Sequence, residues 1–255
     1  MKSSIKRLIY HLLCNNVTGT AIYFLGKGKI RDLRWPGFKF SVPETYVNKQ
    51  MVASIFWGFY ESAEIRFVEK YLRNDLDVIE LGSSIGIVAG HIISKMGNGK
   101  KFVTVEANPF LIDTIQANIK QHQKPGSTFE VLNNAVAHGA EEVTISITNN
   151  NTETRVINNE TAADGVKVKT VKFSDLVQRN NNRAYSLVCD IEGSEVEILL
   201  YEAAALKQCS QLFIELHETT YNGKHYSIQQ LKELLVTTHG FRLVMEHGPV
   251  VYFAR

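Results

Sequence analysis

The stretch VIELGSSIGIVAG, residues 78–90, decides the reading of this chain. An apolar strand ends on a carboxylate, Glu80, and passes through Gly82, Ser83, Ser84 and Gly86 into a helix-like run. Open α/β sheets bind ligands at the carboxyl ends of their strands, beside a switch in strand order. Gly82 and Gly86 carry no Cβ, so the backbone there can pass close to a ligand. The neighbouring residues narrow which ligand. A dinucleotide fingerprint G-x-G-x-x-G starting at Gly82 needs glycines where Ser84 and Ile87 stand, so that reading fails. Such a fingerprint brings helix-end donors to a pyrophosphate. Glu80 is a poor neighbour for a pyrophosphate and a good one for a cationic amino-acid group. The expected cofactor is S-adenosyl-L-methionine.

Outward from this turn the pattern alternates between strand and helix. Strands are predicted at 77–81, 102–106, 128–132, 186–190, 211–216, 241–245 and 249–254, with helices at 85–96 and 109–121. Such alternation implies a mostly parallel sheet with right-handed crossovers. Before the first strand, Ile55, Phe56, Phe59, Ile65, Phe67, Val68 and Leu72 predict one helix over 52–72. Residues 1–50 read as a leader with KFSV as a short strand and Pro36 and Pro43 as punctuation; residues 51–255 form the main domain. A polar, Asn-rich span at about 140–178 is expected to be a β-rich insertion with a turn at Asp164-Gly165, in place of another crossover helix. No internal repeat is visible.

The leader begins with SIKRLIYHLLC, in which Ile5, Leu8, Ile9, Leu12 and Leu13 have amphipathic-helix spacing near Lys2, Lys6 and Arg7. Its apolar run is broken by His11 and has no small-residue cleavage site, so a secretion signal is not expected. Docking of this helix on the domain is favoured over contact with an anionic membrane surface. No segment approaches the ~20 apolar residues of a membrane span.

Twenty-eight basic and 26 acidic side chains give a net charge of +2, leaving no excess to hold a nucleic acid by counterion release. Cys14, Cys189 and Cys209 show no CxxC or Cys/His spacing, so neither a disulfide framework nor a zinc site is expected, and a reducing cytoplasm fits best. The N-x-T triplets at Asn16, Asn150 and Asn159 are read as chance.

Further chemistry sits at the predicted strand ends. Glu106 closes FVTVEANP, where an acid holds two ribose hydroxyls by charge-assisted hydrogen bonds, with Asn108 close behind. In VLNNAVA, Asn133 or Asn134 could bond an adenine edge, or either could mark an ordinary turn. In SLVCDIEGSEVEILL, strand alternation puts Asp190 and Glu192 on one face. Glu215 and His217 do the same in FIELHE, so four polar groups can converge at the sheet edge. The blander alternative makes Asp190 a helix cap and leaves Glu192 and Glu195 to favour a positive helix end.

ELGSSIG, VEANP, NNAVA, DIEGSE and FIELHE, in this order, resemble the FkbM-type S-adenosylmethionine-dependent methyltransferases over about residues 46–253. FWGFYESAEIRFVEKYL is similar to the helix preceding the first strand in members associated with glycan biosynthesis, and Cys189 departs from the lysine or polar residue many members carry there. The resemblance implies the Rossmann-like seven-stranded class I sheet with one antiparallel strand near the C-terminus. It also implies methyl transfer to a hydroxyl, most often of a sugar or polyketide-like product.

The expected cofactor contacts are Tyr60, Glu61, Glu80, Gly82, Ser83, Ser84, Gly86, Glu106, Asn108, Asn134 and Asp190, with Tyr60 and Glu61 either covering the cofactor's open side or lying on a solvated helix face. Asp190, Glu192 and His217 are the candidates for the base or its orienter. No metal site is assigned, although Mg²⁺ held by Asp190, Glu192 and Glu215 is a variant. A silent adenosyl-binding module and a nicotinamide-dependent reductase are the alternatives.

Overall fold

The computed structural model describes residues 3–147, 154–157, 165–181 and 183–255. Two helices, α1 (Ser3–Leu13) and α2 (Asn16–Gly26), precede a small antiparallel pair, β1 (Lys29–Arg31) and β2 (Lys39–Ser41). Helices α3 (Lys49–Phe56) and α4 (Ser62–Tyr71) lead to β3 (Asp77–Leu81), α5 (Ile87–Lys95) and β4 (Lys101–Glu106). A 3₁₀ turn, Pro109–Leu111, and α6 (Ile112–His122) then reach β5 (Thr128–Asn133). Next come β6 (Ala135–Val136), β7 (Glu142–Ile147), β8 (Thr154–Ile157), β9 (Gly165–Val171), α7 (Phe173–Arg179) and β10 (Tyr185–Cys189). The chain closes with α8 (Glu195–Tyr201), α9 (Ala203–Leu206), β11 (Cys209–Glu215), β12 (Thr219–Tyr221), β13 (Lys224–Tyr226), α10 (Ile228–Glu233), a π turn (Leu234–Thr238), β14 (Arg242–His247) and β15 (Val250–Ala254).

The main sheet has the order β14-β15-β11-β10-β3-β4-β5. Neighbours from β11 to β5 run parallel, and β15 runs antiparallel to both β11 and β14. This is the mostly parallel class I sheet expected from the sequence. Every residue of β3 and β10 is buried, as befits strands covered on both faces. Alternation along β3 sends Val78 into a core shared with α4, α5, α6 and the leader residues Ile30 and Phe40; Ile79 and Leu81 enter the opposite core with α7, α8 and α9. The order reverses at β3, because the chain moves outward through β4 and β5 and then returns to β10 on its other side. The carboxyl ends of β3 and β10 therefore form the switch point where such sheets bind ligands.

Three sequence expectations change. The helix predicted over 52–72 is two helices, because Gly58 (φ +67°) and Glu61 (φ +44°) adopt left-handed backbone between them. A Cβ on Gly58 would stand 2.3 Å from Arg34 Cβ, so the break is fixed by the leader packing against it. The leader holds a second helix, α2, and the partner strand β1, neither of which has a strong period. The span 140–178 does contain β7, β8 and β9, but it also contains α7. Asn16 begins α2, whereas Asn150, Asn159 and Asp164 lie outside the described residues.

Helix α1 docks as expected on one side, with Cys14 buried and Tyr10 edge-on to Phe59 at 5.7 Å. The predicted apolar stripe is divided: Ile9 and Leu13 are half-buried, and Leu8 and Leu12 are exposed.

Candidate active site

A cavity of about 570 Å³ opens at the carboxyl edge of the sheet. It is lined from the strand ends by Gly82, Ser84, Glu106, Asn134, Asp190, Glu192, Glu215 and His217, and from the α3–α4 break by Tyr60 and Glu61. Six non-glycine residues among those described have positive φ, and three of them (Glu61, Ser84 and Glu192) line this cavity. Backbone held in a sparsely populated region clusters at ligand sites.

The turn after β3 is built tightly. Gly82 N–H donates to Val105 O at 2.9 Å, and Asp190 N–H donates to Leu81 O at 2.9 Å. A Cβ on Gly82 (φ +85°) would lie 1.7 Å from the Asp190 carbonyl oxygen. The neighbouring strand end therefore requires glycine there by itself, in addition to the close ligand approach expected from the sequence. Ser84 N–H donates to Glu106 Oε2 at 2.8 Å, and the hydroxyls of Ser84 and Tyr60 share a hydrogen bond of 3.1 Å. That bond ties the α3–α4 break to the glycine turn.

Glu106 is 5% exposed at the tip of β4, and its Oε1 accepts from Asn108 N–H at 2.8 Å. Burial raises its pKa to about 7, with the backbone hydrogen bonds opposing. Glu80 is likewise pushed up to about 7 by burial, against hydrogen bonds from Thr104 and Ser83. Its Oε2 accepts from Ser83 at 2.8 Å and from Thr104 at 2.5 Å, and its buried Oε1 has no hydrogen-bond partner.

Four expected contact residues stand behind the lining. Glu80 and Ser83 lie under the turn, bonded to each other. Asn108 caps the 3₁₀ turn by accepting from Phe110 N–H at 3.0 Å, and Gly86 begins α5 against Ile115. Of the two asparagines left open, Asn134 lines the cavity while its amide donates to the Lys169 and Thr170 carbonyls; Asn133 lies outside the lining and donates to the Glu106 and Ala107 carbonyls.

The strand ends bring Asp190, Glu192, Glu215 and His217 together. His217 Nε2 lies 3.8 Å from Asp190 Oδ1, 3.8 Å from Glu192 Oε2 and 4.0 Å from Glu215 Oε1. Its Nδ1 bonds Glu195 Oε1 at 3.1 Å. Glu195 is 1% exposed and also accepts from the N–H groups of Ile191 and Gly193, so it fixes both the loop and the ring. Burial disfavours charge on His217, but the Glu195 hydrogen bond and the surrounding carboxylates outweigh it and lift the pKa to about 9. These neighbours favour the charged imidazolium at neutral pH. Of the two roles the sequence offers His217, base or orienter, they favour orienting and neutralising. Asp190 is raised well above the usual carboxylate range by burial and by Glu61 and Glu215, with His217 opposing, and its Oδ1 has no hydrogen-bond partner.

Sequence reasoning missed several residues here. Tyr10, Asn48, Gln50, Met51 and Ser54 form a further wall of the cavity, supplied by the leader and α3. Glu64 on α4 is 4% exposed, and burial followed by the charges of Glu61 and Asp190 raises its pKa well above normal. The sequence leaves Glu64, like Tyr60 and Glu61, unexplained by the buried stripe of its helix, but assigns it no role. Glu195 had a signal, since an acid in the first turn of a helix can turn back to loop N–H groups.

The cavity and its donors fit S-adenosyl-L-methionine. Its volume lies within the roughly 300–1,000 Å³ of small-ligand sites. Glu106 stands where a ribose is expected, and acids face the region where a cation would lie.

An acid-edged cavity at the switch point of this sheet belongs to the class I methyltransferases. Residues 82–243 match the Methyltransferase FkbM domain, and the chain belongs to that family of S-adenosylmethionine-dependent enzymes. No curated protein matches it. Similar solved structures include magnesium protoporphyrin IX methyltransferase from Synechocystis with bound SAH (11% identity, 76% of this chain and 80% of that one, TM-score 0.43). Another is the precorrin-6y C5,15-methyltransferase of Geobacter metallireducens (12% identity, 85% and 95%, TM-score 0.42).

Replacing Glu106 by Ala is expected to weaken S-adenosylhomocysteine binding by about 1.5 to 3 kcal/mol, the worth of hydrogen bonds to a charged group. Calorimetry that finds unchanged affinity in a folded variant removes Glu106 from the site. A pH trend accompanies this. Ribose hydroxyls favour the ionised carboxylate, so wild-type affinity should rise with pH through about 7 and then level off. Stability of the free protein runs the opposite way. With a folded pKa above its ordinary 4.5, the Glu106 contribution is complete below that pH and is lost as pH rises through about 7.

Proposed function

We propose that this methyltransferase acts on a hydroxyl oxygen of a sugar, glycan or related small molecule, with Asp190 as general base. The observation that carries the reading is the unpartnered, buried Oδ1 of Asp190 at the cavity surface, 3.8 Å from the His217 imidazolium. A raised pKa keeps the carboxylate basic enough to take a hydroxyl proton near neutral pH. Tyr10, Gln50, Ser54 and Ser194 give the cavity a hydrogen-bonding wall that suits a polyhydroxylated acceptor.

S-adenosyl-L-methionine, when bound, supplies a methyl group on a cationic sulfur, which departs as a neutral thioether. Glu106 accepts hydrogen bonds from the ribose, and Glu61 and Glu215 make the region beside Asp190 negative. Asp190 accepts the hydroxyl proton as the acceptor oxygen forms its bond to carbon. Glu195 holds His217, whose positive charge keeps Asp190 and Glu192 together despite their repulsion.

A Mg²⁺-assisted variant has one observation in its favour, with Glu61 in place of the expected Glu192. Donor atoms of Glu61, Asp190 and Glu215 lie within 4.8 Å of one another, and a hard-oxygen set suits that ion. The second such set, Asp190, Glu192 and His217, would require His217 to release its proton on binding. The metal-free reading therefore expects full activity after EDTA treatment and dialysis; loss that Mg²⁺ restores would assign the variant.

The acceptor is tested with purified protein, isotopically labelled methyl donor and fractionated cell extract, followed by mass spectrometry. The expected product carries the label as a base-stable methyl ether. Label in an ester, on nitrogen or on carbon would overturn the hydroxyl reading.

A further inference from the structure

Residues 1–43 hold eight Lys and Arg and one acid, Asp32, a net +7 in a chain whose total is +2, so the remainder carries −5. Asp32 is 2% exposed, hydrogen-bonded to the N–H groups of Arg34 and Trp35. The surface of this segment is therefore basic. It is also apolar: Leu8 is 60% exposed, Leu12 66%, Val17 82%, Phe24 66% and Leu25 86%. Six of the eleven large apolar side chains exposed among the described residues fall between Leu8 and Leu33.

The exposed groups are ordered by helix geometry. Leu8 and Leu12 are one turn apart on α1, and Val17, Phe24 and Leu25 share a face of α2. The other sides of both helices are already used. Tyr10 and Cys14 hold α1 to the domain; Gly19 sits against the Lys49 backbone, and Ile22 and Tyr23 pack into the core. A helix that only covered the domain would turn a polar face outward. These two turn out leucine, valine and phenylalanine, with Arg7, Lys27 and Lys29 exposed near them.

We propose that the α1–α2 face docks on an anionic lipid surface. Apolar side chains beside lysine and arginine suit the boundary between acyl chains and anionic headgroups. No helix among the described residues is long and apolar enough to cross a membrane, so the contact lies in the interface plane. A second copy of the chain is disfavoured as the occupant, because it would set two +7 segments against each other. Tyr10 lines the cavity from the opposite side of the helix that carries Leu8 and Leu12, so the docking helix also walls the active site.

The test is co-sedimentation of the full chain with phosphatidylcholine vesicles, with and without about one third phosphatidylglycerol. Binding is expected only to the anionic vesicles and should weaken with added salt. Leu8→Ser with Leu12→Ser, or Phe24→Ser with Leu25→Ser, should lower the partition coefficient at least about tenfold. Arg7→Glu with Lys29→Glu should lower it as well. Circular dichroism should show each variant folded, since all these side chains are exposed. Absence of binding, equal binding to both vesicles, or variants that bind like wild type would overturn the proposal. So would a dimer, seen by light scattering, that Leu8→Ser with Leu12→Ser dissociates.

Discussion

Asp190→Asn is expected to bind S-adenosylhomocysteine within a few-fold of wild type and to transfer methyl about 10² to 10⁴-fold more slowly. Asparagine keeps the shape and removes only the charge, so the cavity should survive. What is lost is an acceptor for the hydroxyl proton, which matters only in the transition state and so falls on kcat rather than on donor affinity. The pH profile gives a second readout. Wild-type rate should fall toward acid as Asp190 is protonated, and again above pH about 9 as His217 loses its proton and its neutralising charge. The acid limb should vanish from the residual activity of the variant. Near wild-type turnover in Asp190→Asn would move the base to Glu192, another carboxylate beside His217.

Gly82→Ala should cost folding stability before it costs binding. The new Cβ would meet a backbone carbonyl 1.7 Å away, in a strand end pinned on both sides by the Gly82–Val105 and Asp190–Leu81 hydrogen bonds. Positive-φ strain and overpacking together suggest a loss of about 2 to 6 kcal/mol. Gly139 is the control: its φ is +90° but nothing lies within 4 Å of an added Cβ, so Gly139→Ala should lose only the strain, about 1 to 3 kcal/mol. Urea unfolding compares the two. Equal losses would mean that the β3 and β10 ends can separate, and the steric account of Gly82 would fail.

Much of the fold was legible in the sequence because its signals are local. Strand β3, the glycine turn and the acids at the ends of β4, β10 and β11 follow from alternation over five to seven residues and from where apolar runs stop. The ordered motifs also carried the family resemblance, which the match over residues 82–243 bears out. Three matters needed the tertiary structure.

The first is the break between α3 and α4. Its Gly58 is held by Arg34 from the leader, and a helical period cannot report a contact twenty-four residues away. The second is which polar groups reach the cavity. Glu80 and Asn108 belong to the same motifs as Ser84 and Glu106, yet they lie beneath the turn, where Ser83 and Thr104 bond one oxygen of Glu80 and Phe110 N–H bonds Asn108. The third is charge. Sequence offers His217 as a base or its orienter, but the Glu195 hydrogen bond and the carboxylates of Asp190, Glu192 and Glu215, most of them from the loop after the neighbouring strand, favour its charged form. A sequence fixes which groups arrive at a strand's end. Burial and the neighbours met there decide their protonation, and those neighbours are set by sheet order.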